Sequence, residues 1–248
     1  MSFTFYGDLM GMSGYYKLSS DIAKEKLHEF YNTVFHALSD YCNDNPTFKV
    51  HMFSGILLVY GDDAKIGLEK IHNVYINLLH KNILLRGAAV SGRLSFDIRT
   101  ELENFSKQQP NDDTLARAVG LEQTKKGARF LIEAKLATEL LNDYPQWLLH
   151  EGYLTHQHGS YDRVPIDDPI RRIAPTPEQD GYEFLYFWVC NRHMKHHETD
   201  YNKRIKILSD LKGMLSDRTA EYMTETISLL KRCKARQALT ESERNPKF

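Results

Sequence analysis

An α+β fold is predicted, with one sheet laid against helices in the order β-α-β-β-α-β. Three observations carry this reading. The chain opens on a short apolar run, FTFYG, from residue 3. Two long stretches, 20–42 and 62–82, repeat apolar residues at three- and four-residue spacing, as amphipathic helices do. Between them, FKVHMFSGILLVYG reads as two strands hinged at Ser54-Gly55, a tight hairpin signal. The apolar strand ILLRGAAVSGRLSF follows the second helix. The whole is the ferredoxin-like or palm arrangement, an antiparallel sheet with helices on one face and a helical C-terminal extension.

Each element has a local reason. The first helix places Ala23, Leu27, Phe30, Val34 and Leu38 on one face, with Ser20 or Asp21 as N-cap. NDNPT (43–47) is a turn. The second helix carries Leu68, Ile71, Tyr75 and Leu78, and the Asp62-Asp63 pair opens it as cap and first-turn acid. The next strand continues past Gly92 into a bend. KQQPNDDT (107–114) is a polar loop, ARAVGLEQTKKG a helix from about 114 to 126, and ARFLIEA a strand. ATELLNDYPQWLLH is a helix broken at Pro145. Residues 151–182 read as a partly irregular excursion, and FLYFWVCN (184–191) as the last clear strand. Residues 200–237 are helical and amphipathic, through Ile205, Leu208, Leu211 and Leu215, then Met223, Ile227 and Leu230. The chain is read as one domain over 1–248: a core at 3–135, an extension at 136–240 and a polar tail at 241–248.

At 248 residues, 42% hydrophobic and 26% charged, the chain is long enough to bury a core. A formal net charge of −1 gives it no general attraction to nucleic acid or anionic lipid. No apolar run reaches the length of a membrane span, and the N-terminus lacks a signal-peptide layout. Cys42, Cys190 and Cys233 are scattered and odd in number, which argues against a disulfide framework or zinc site and for a reducing cytoplasm.

The stretch FYGDLMGMSGYY concentrates the chemistry. Asp8 at a strand end offers hard oxygen ligands of the kind Mg²⁺ or Mn²⁺ takes. Leu9, Met10, Gly11, Met12 and Ser13 then present successive backbone N–H groups, and the glycines let a triphosphate approach near a helix start. The plainer alternative for Asp8 is a turn-forming carboxylate that caps the next element.

Three segments together resemble the catalytic domain of class III nucleotidyl cyclases. DLMGMS (8–13) looks like the family's D-I-x-G-F-[ST], and FSGILLVYG (53–61) is similar to its G-D-G hairpin. LLRGAAVSG (84–92) with LARAVGLEQTKKGARFLI (115–132) looks like its R-x-G strand and the helix ending in L-E. The wording of the last segment is closest to the bacterial antiphage branch, the Pycsar pyrimidine cyclases. Resemblance spans about residues 3–135. It implies a homodimer that converts a nucleoside triphosphate, UTP or CTP, to its 3′,5′-cyclic monophosphate and pyrophosphate. It also implies a separate effector that reads the cyclic nucleotide. Metal ligands would be Asp8, the Leu9 carbonyl and, at the hairpin turn, the residue aligned with a second aspartate.

That residue is Ser54, or Gly55 after a one-residue slip, and neither brings a negative charge. The family's Asn-x-x-x-Arg falls on Ala116 and Gly120, and Arg117 stands one position off, about 100° around a helix. Arg129 matches the arginine of the Pycsar-like wording and is the better phosphate contact, or else an ordinary strand-end arginine paired to a carboxylate. Base-facing positions align with Val50 and Gln109, neither of them a purine-selecting type in that family. A second reading therefore stands beside the enzyme: a cyclase-like nucleotide-binding or regulatory module. HMKHHE (193–198), His156 and His158 lack metal-ligand spacing and read as solvated segments. Tyr15-Tyr16 would stack on a base or pack the helix entry, and KRCKAR (231–236) reads as a basic helix end.

Overall fold

The computed structural model describes residues 1–97, 109–124, 126–144, 170–172, 181–184, 197–214, 220–228 and 230–231. β1 (Phe3–Leu9) runs into a short helix, α1 (Met12–Leu18), and then the long α2 (Ser20–Asp44). The hairpin β2 (Lys49–Phe53) and β3 (Ile56–Gly61) follows, then α3 (Ala64–His80) and β4 (Leu85–Ser91). A two-residue ribbon, β5 (Phe96–Asp97) with β6 (Gln109–Pro110), precedes α4 (Thr114–Gln123), β7 (Phe130–Glu133) and α5 (Ala134–Asp143). Two further strands, β8 (Ile170–Arg172) and β9 (Gly181–Phe184), and a helix over His197–Met214 complete the named elements. Residues 220–228 are also helical.

The main sheet has the order β2-β3-β1-β4-β7-β9-β8. Its β2-β3-β1-β4 portion is antiparallel, as the palm arrangement requires, and β7 joins β4 in parallel. Period-two alternation divides the side chains between two faces. Phe3, Phe5, Leu9, Leu57, Val59, Leu85, Ala89, Phe130 and Ile132 form the main core with Phe30 and Val34 of α2 and Leu68, Ile71 and Leu78 of α3. α4 lies on the other face, where Ala118 and Leu121 meet Ala88, Val90 and Leu131.

Small differences from the sequence reading have local causes. Ser19, rather than Ser20 or Asp21, caps α2, its hydroxyl accepting from the Asp21 amide at 3.2 Å. Asp63 caps α3 as expected, through a 3.1 Å bond from the Ile66 amide. Its neighbour Asp62 pairs with Arg93 at 3.2 Å. The strand expected at 184–191, the HMKHHE tract, His156, His158 and the basic run 231–236 lie wholly or mostly outside the described residues.

Candidate functional site

One end of the sheet gathers Asp8, the β2–β3 turn, and the first residues of β4 and β7. Alternation along β1 sends Phe5 and Leu9 into the helix-side core and leaves Tyr6 and Asp8 on the α4 face. Asp8 lies level with Ile56 of β3 and Arg86 of β4. The Leu9 amide donates to the Gly55 carbonyl at 2.8 Å, which ties the hairpin turn to the end of β1. Gly55 is buried, and a Cβ there would stand 3.1 Å from Leu9 Cβ, so the turn lies close against the strand. Ser54 holds φ 54, in the left-handed region, and is exposed.

Past Asp8 the chain bends at Gly11, φ 84, and enters α1. The stretch Leu9–Ser13 therefore divides. The Leu9 and Met10 amides are taken by the carbonyls of Gly55 and Leu84, at 2.8 and 2.9 Å. Met12 and Ser13 stand in the first turn of α1, where a helix supplies its own N–H groups with no acceptor. The part of the cradle that faces an anion is thus shorter than the sequence implies.

Asp8 has company that sequence reasoning passed over. Arg86 Nη2 lies 3.7 Å from Asp8 Oδ2, while its Nε is ion-paired with Oε1 of Glu122 near the end of α4. The Arg86 guanidinium also stands 5.6 Å from the centre of the Tyr222 ring. Glu122 is only 1% exposed, and the Asp8 side chain 41%. Burial pushes the Glu122 carboxyl up to about 7, against the pull of Arg86 and with a further push from Asp8. Burial also raises Asp8, and Arg86 offsets only part of that. Both residues lay in plain sight within LLRGAAVSG and the L-E of α4. The missing step was the register that sets Arg86 beside Asp8.

The two candidate arginines are both engaged within the chain. Arg129 stands in the row of Asp8 and Arg86, two strands from Asp8 or about 10 Å. Its Nε donates to the Lys126 carbonyl at 2.7 Å, and Nη2 lies 3.6 Å from Glu225, the strand-end pairing foreseen as the alternative. Arg117 donates to Asp113 at 3.1 Å, to the Ser91 carbonyl at 2.9 Å, and to Glu133. Ser91 is five residues along β4 from Arg86, so this network lies about 16 Å from the Asp8 row. It fastens α4 to the far ends of β4 and β7. The structure does not bring Arg117 to Asp8 within one chain.

Nor do the two base-facing positions converge. Val50 packs against the helix-side core, away from Asp8, and Gln109 is exposed in β6 opposite Asp97. His51, the neighbour of Val50, occupies the α4 side. It stacks on Tyr60 at 5.6 Å, with Phe96 edge-on at 6.1 Å. Tyr15 is half-buried and Tyr16 52% exposed at the entry to α2.

Among the described residues, no three His, Cys, Asp or Glu side chains converge as a metal cluster. Asp8 is a partly buried carboxylate whose burial raises it, 3.7 Å from Arg86, and a bound cation would relieve that cost. Ser54 offers only a neutral hydroxyl, and Glu122 is committed to Arg86. The side chains present fit one divalent cation, on the Asp8 carboxylate, and do not fit two.

No protein-family profile matches the chain, and no curated protein matches it. Solved structures do. The adenylyl cyclase CyaB from P. aeruginosa superposes with a TM-score of 0.51 at 13% identity, over 77% of this chain and 95% of that one. A bacterial light-regulated adenylyl cyclase gives 0.51 at 9% identity, over 84% and 96%. The guanylate cyclase domain of RhGC from Catenaria anguillulae, in complex with GTP, gives 0.47 at 11% identity, over 73% and 93%. At 13% and 9% identity the likeness to the two adenylyl cyclases is one of fold: this chain shares their mixed-sheet α+β fold. No helix among the described residues is long and apolar enough to cross a membrane.

Proposed function

We propose that this chain binds a nucleoside triphosphate at the Asp8 end of its sheet and acts as a nucleotidyl cyclase. The 3′-hydroxyl would give up its proton to solvent as its oxygen attacks the α-phosphorus, and the bond to the β-phosphate would break to release pyrophosphate. The observation that carries this reading is the placing of Asp8: a partly exposed carboxylate at a strand end, followed by a left-handed glycine and an open helix turn. Asp8 would hold the cation, while Met12 and Ser13 would donate to phosphate oxygens. Mg²⁺ or Mn²⁺, when bound, withdraws charge from the reacting phosphate. Arg86 adds a fixed positive charge in the adjoining strand.

The finer parts of the reading rest on the family resemblance. The base is taken to be a pyrimidine, as UTP or CTP, and the compartment the cytoplasm. The product would act as a second messenger in antiphage defence, read by a separate effector. A second copy of the chain would complete the site, as it does in the family this chain resembles.

One observation favours a second reading, a nucleotide-binding or regulatory module without turnover. The hairpin turn that would bring a second carboxylate carries Ser54, and no group of three metal-ligating side chains forms among the described residues. The experiment is incubation with each of the four labelled nucleoside triphosphates and Mn²⁺. Product from the unmodified chain, lost in Asp8→Ala, supports the enzyme and names its base. Product only after Ser54→Asp supports a disabled cyclase scaffold. Nucleotide bound by the unmodified chain, with no product from either, supports the module.

A further inference from the structure

Arg86 sits between two carboxylates and divides itself unequally. Its Nε is in direct contact with Glu122, whereas Nη2 stops 3.7 Å from Asp8, beyond hydrogen-bond length. Arg86 and Asp8 are level in neighbouring strands, so nothing in the backbone keeps them apart. Glu122 is almost fully enclosed, on a helix anchored through Ala118 and Leu121 to the sheet beneath. The Tyr222 ring limits the guanidinium from another side. A freed guanidinium would close onto Asp8 in a charge-assisted pair, and one carboxylate cannot serve both that pair and a divalent cation equally well.

From this arrangement we infer that Glu122 is a positioning residue: it holds Arg86 back from Asp8 and so keeps Asp8 open to the cation. The inference rests on the reading of Asp8 as the cation ligand. It makes the acid at the end of α4 part of the cation's binding energy, although it is not itself a ligand.

The test is Mn²⁺ binding to the full chain without nucleotide at about pH 8, above the Glu122 value of about 7 so that the carboxylate is ionised, followed by the electron paramagnetic resonance signal of free Mn²⁺, with circular dichroism to check folding. Asp8→Asn is expected to lose the site. Glu122→Gln, nearly isosteric, is expected to weaken binding roughly tenfold, the scale on which a neighbouring charge acts on a carboxylate. Arg86→Gln is expected to bind more tightly than the unmodified chain, and Arg86→Gln/Glu122→Gln to recover at least the unmodified affinity. A merely structural Glu122 would give no such rescue. A folded Glu122→Gln that binds Mn²⁺ like the unmodified chain, or a double variant as weak as the single, overturns the inference while Asp8 stands as ligand. Equal binding by the unmodified chain and Asp8→Asn overturns both. Should Glu122→Gln fail to fold, Arg86→Gln decides, and unchanged or weaker binding there refutes the idea.

Discussion

Glu122 couples the stability of this protein to pH. The carboxyl is raised from 4.5 to about 7 in the folded chain, chiefly by burial. A folded-state value above the unfolded one means that the native state holds its proton more tightly. The associated stability is fully present below the unfolded value and is lost as pH rises through the folded value. A shift of this size is worth on the order of 3 kcal/mol, most of it falling between about pH 5 and pH 8. With the side chain 2% exposed, solvent screening takes little from that figure. Urea unfolding of the unmodified chain and Glu122→Gln across this range isolates the group, because glutamine is neutral throughout. The stability of the unmodified chain relative to the variant should fall as pH rises, by roughly that amount. Parallel profiles for the two proteins would refute the argument, and a relative gain with pH would reverse its sign.

Other consequences are more local. Gly67→Ala would set a Cβ 2.1 Å from the ring of Phe3, itself wholly enclosed, and should cost about 1–3 kcal/mol in the same unfolding assay. Phe130→Ala removes a ring 5.0 Å from Phe5 and 5.5 Å from Tyr75, and should cost about 3–5 kcal/mol. Arg117→Gln leaves Glu133 without its arginine and should lower the melting temperature by several degrees. Turnover lost at unchanged melting would instead put Arg117 in the site.

Local patterns in the sequence led directly to the palm. The strands of the Ser54-Gly55 hairpin, the apolar faces of α2 and α3, and the Gly92 bend each depend on neighbours within a few residues. The helix expected to break at Pro145 is α5 as far as Asp143, and the half expected beyond the proline lies outside the described residues. α1 escaped notice, because a seven-residue helix inside a glycine turn has too few positions to show a period. β6 fell within what reads as a polar loop, and its two residues owe their strand form to Phe96 and Asp97. The site was legible at Asp8 and blurred elsewhere. Which residues share its face depends on the β1–β4 register and on where the end of α4 comes to rest. Arg86 and Glu122 are 36 positions apart in sequence and meet only in the fold. Val50 and His51 show the same limit, since a one-residue slip in a strand exchanges the two faces.

The most direct test of the central claim is a crystal structure of the full chain grown with Mn²⁺ and a non-hydrolysable pyrimidine triphosphate. An anomalous Mn²⁺ peak on Asp8, with the phosphates against Met12 and Ser13 and the nucleoside on the α4 face, is the predicted result. A nucleotide bound elsewhere, or no nucleotide at concentrations that saturate cyclases of this fold, would contradict it.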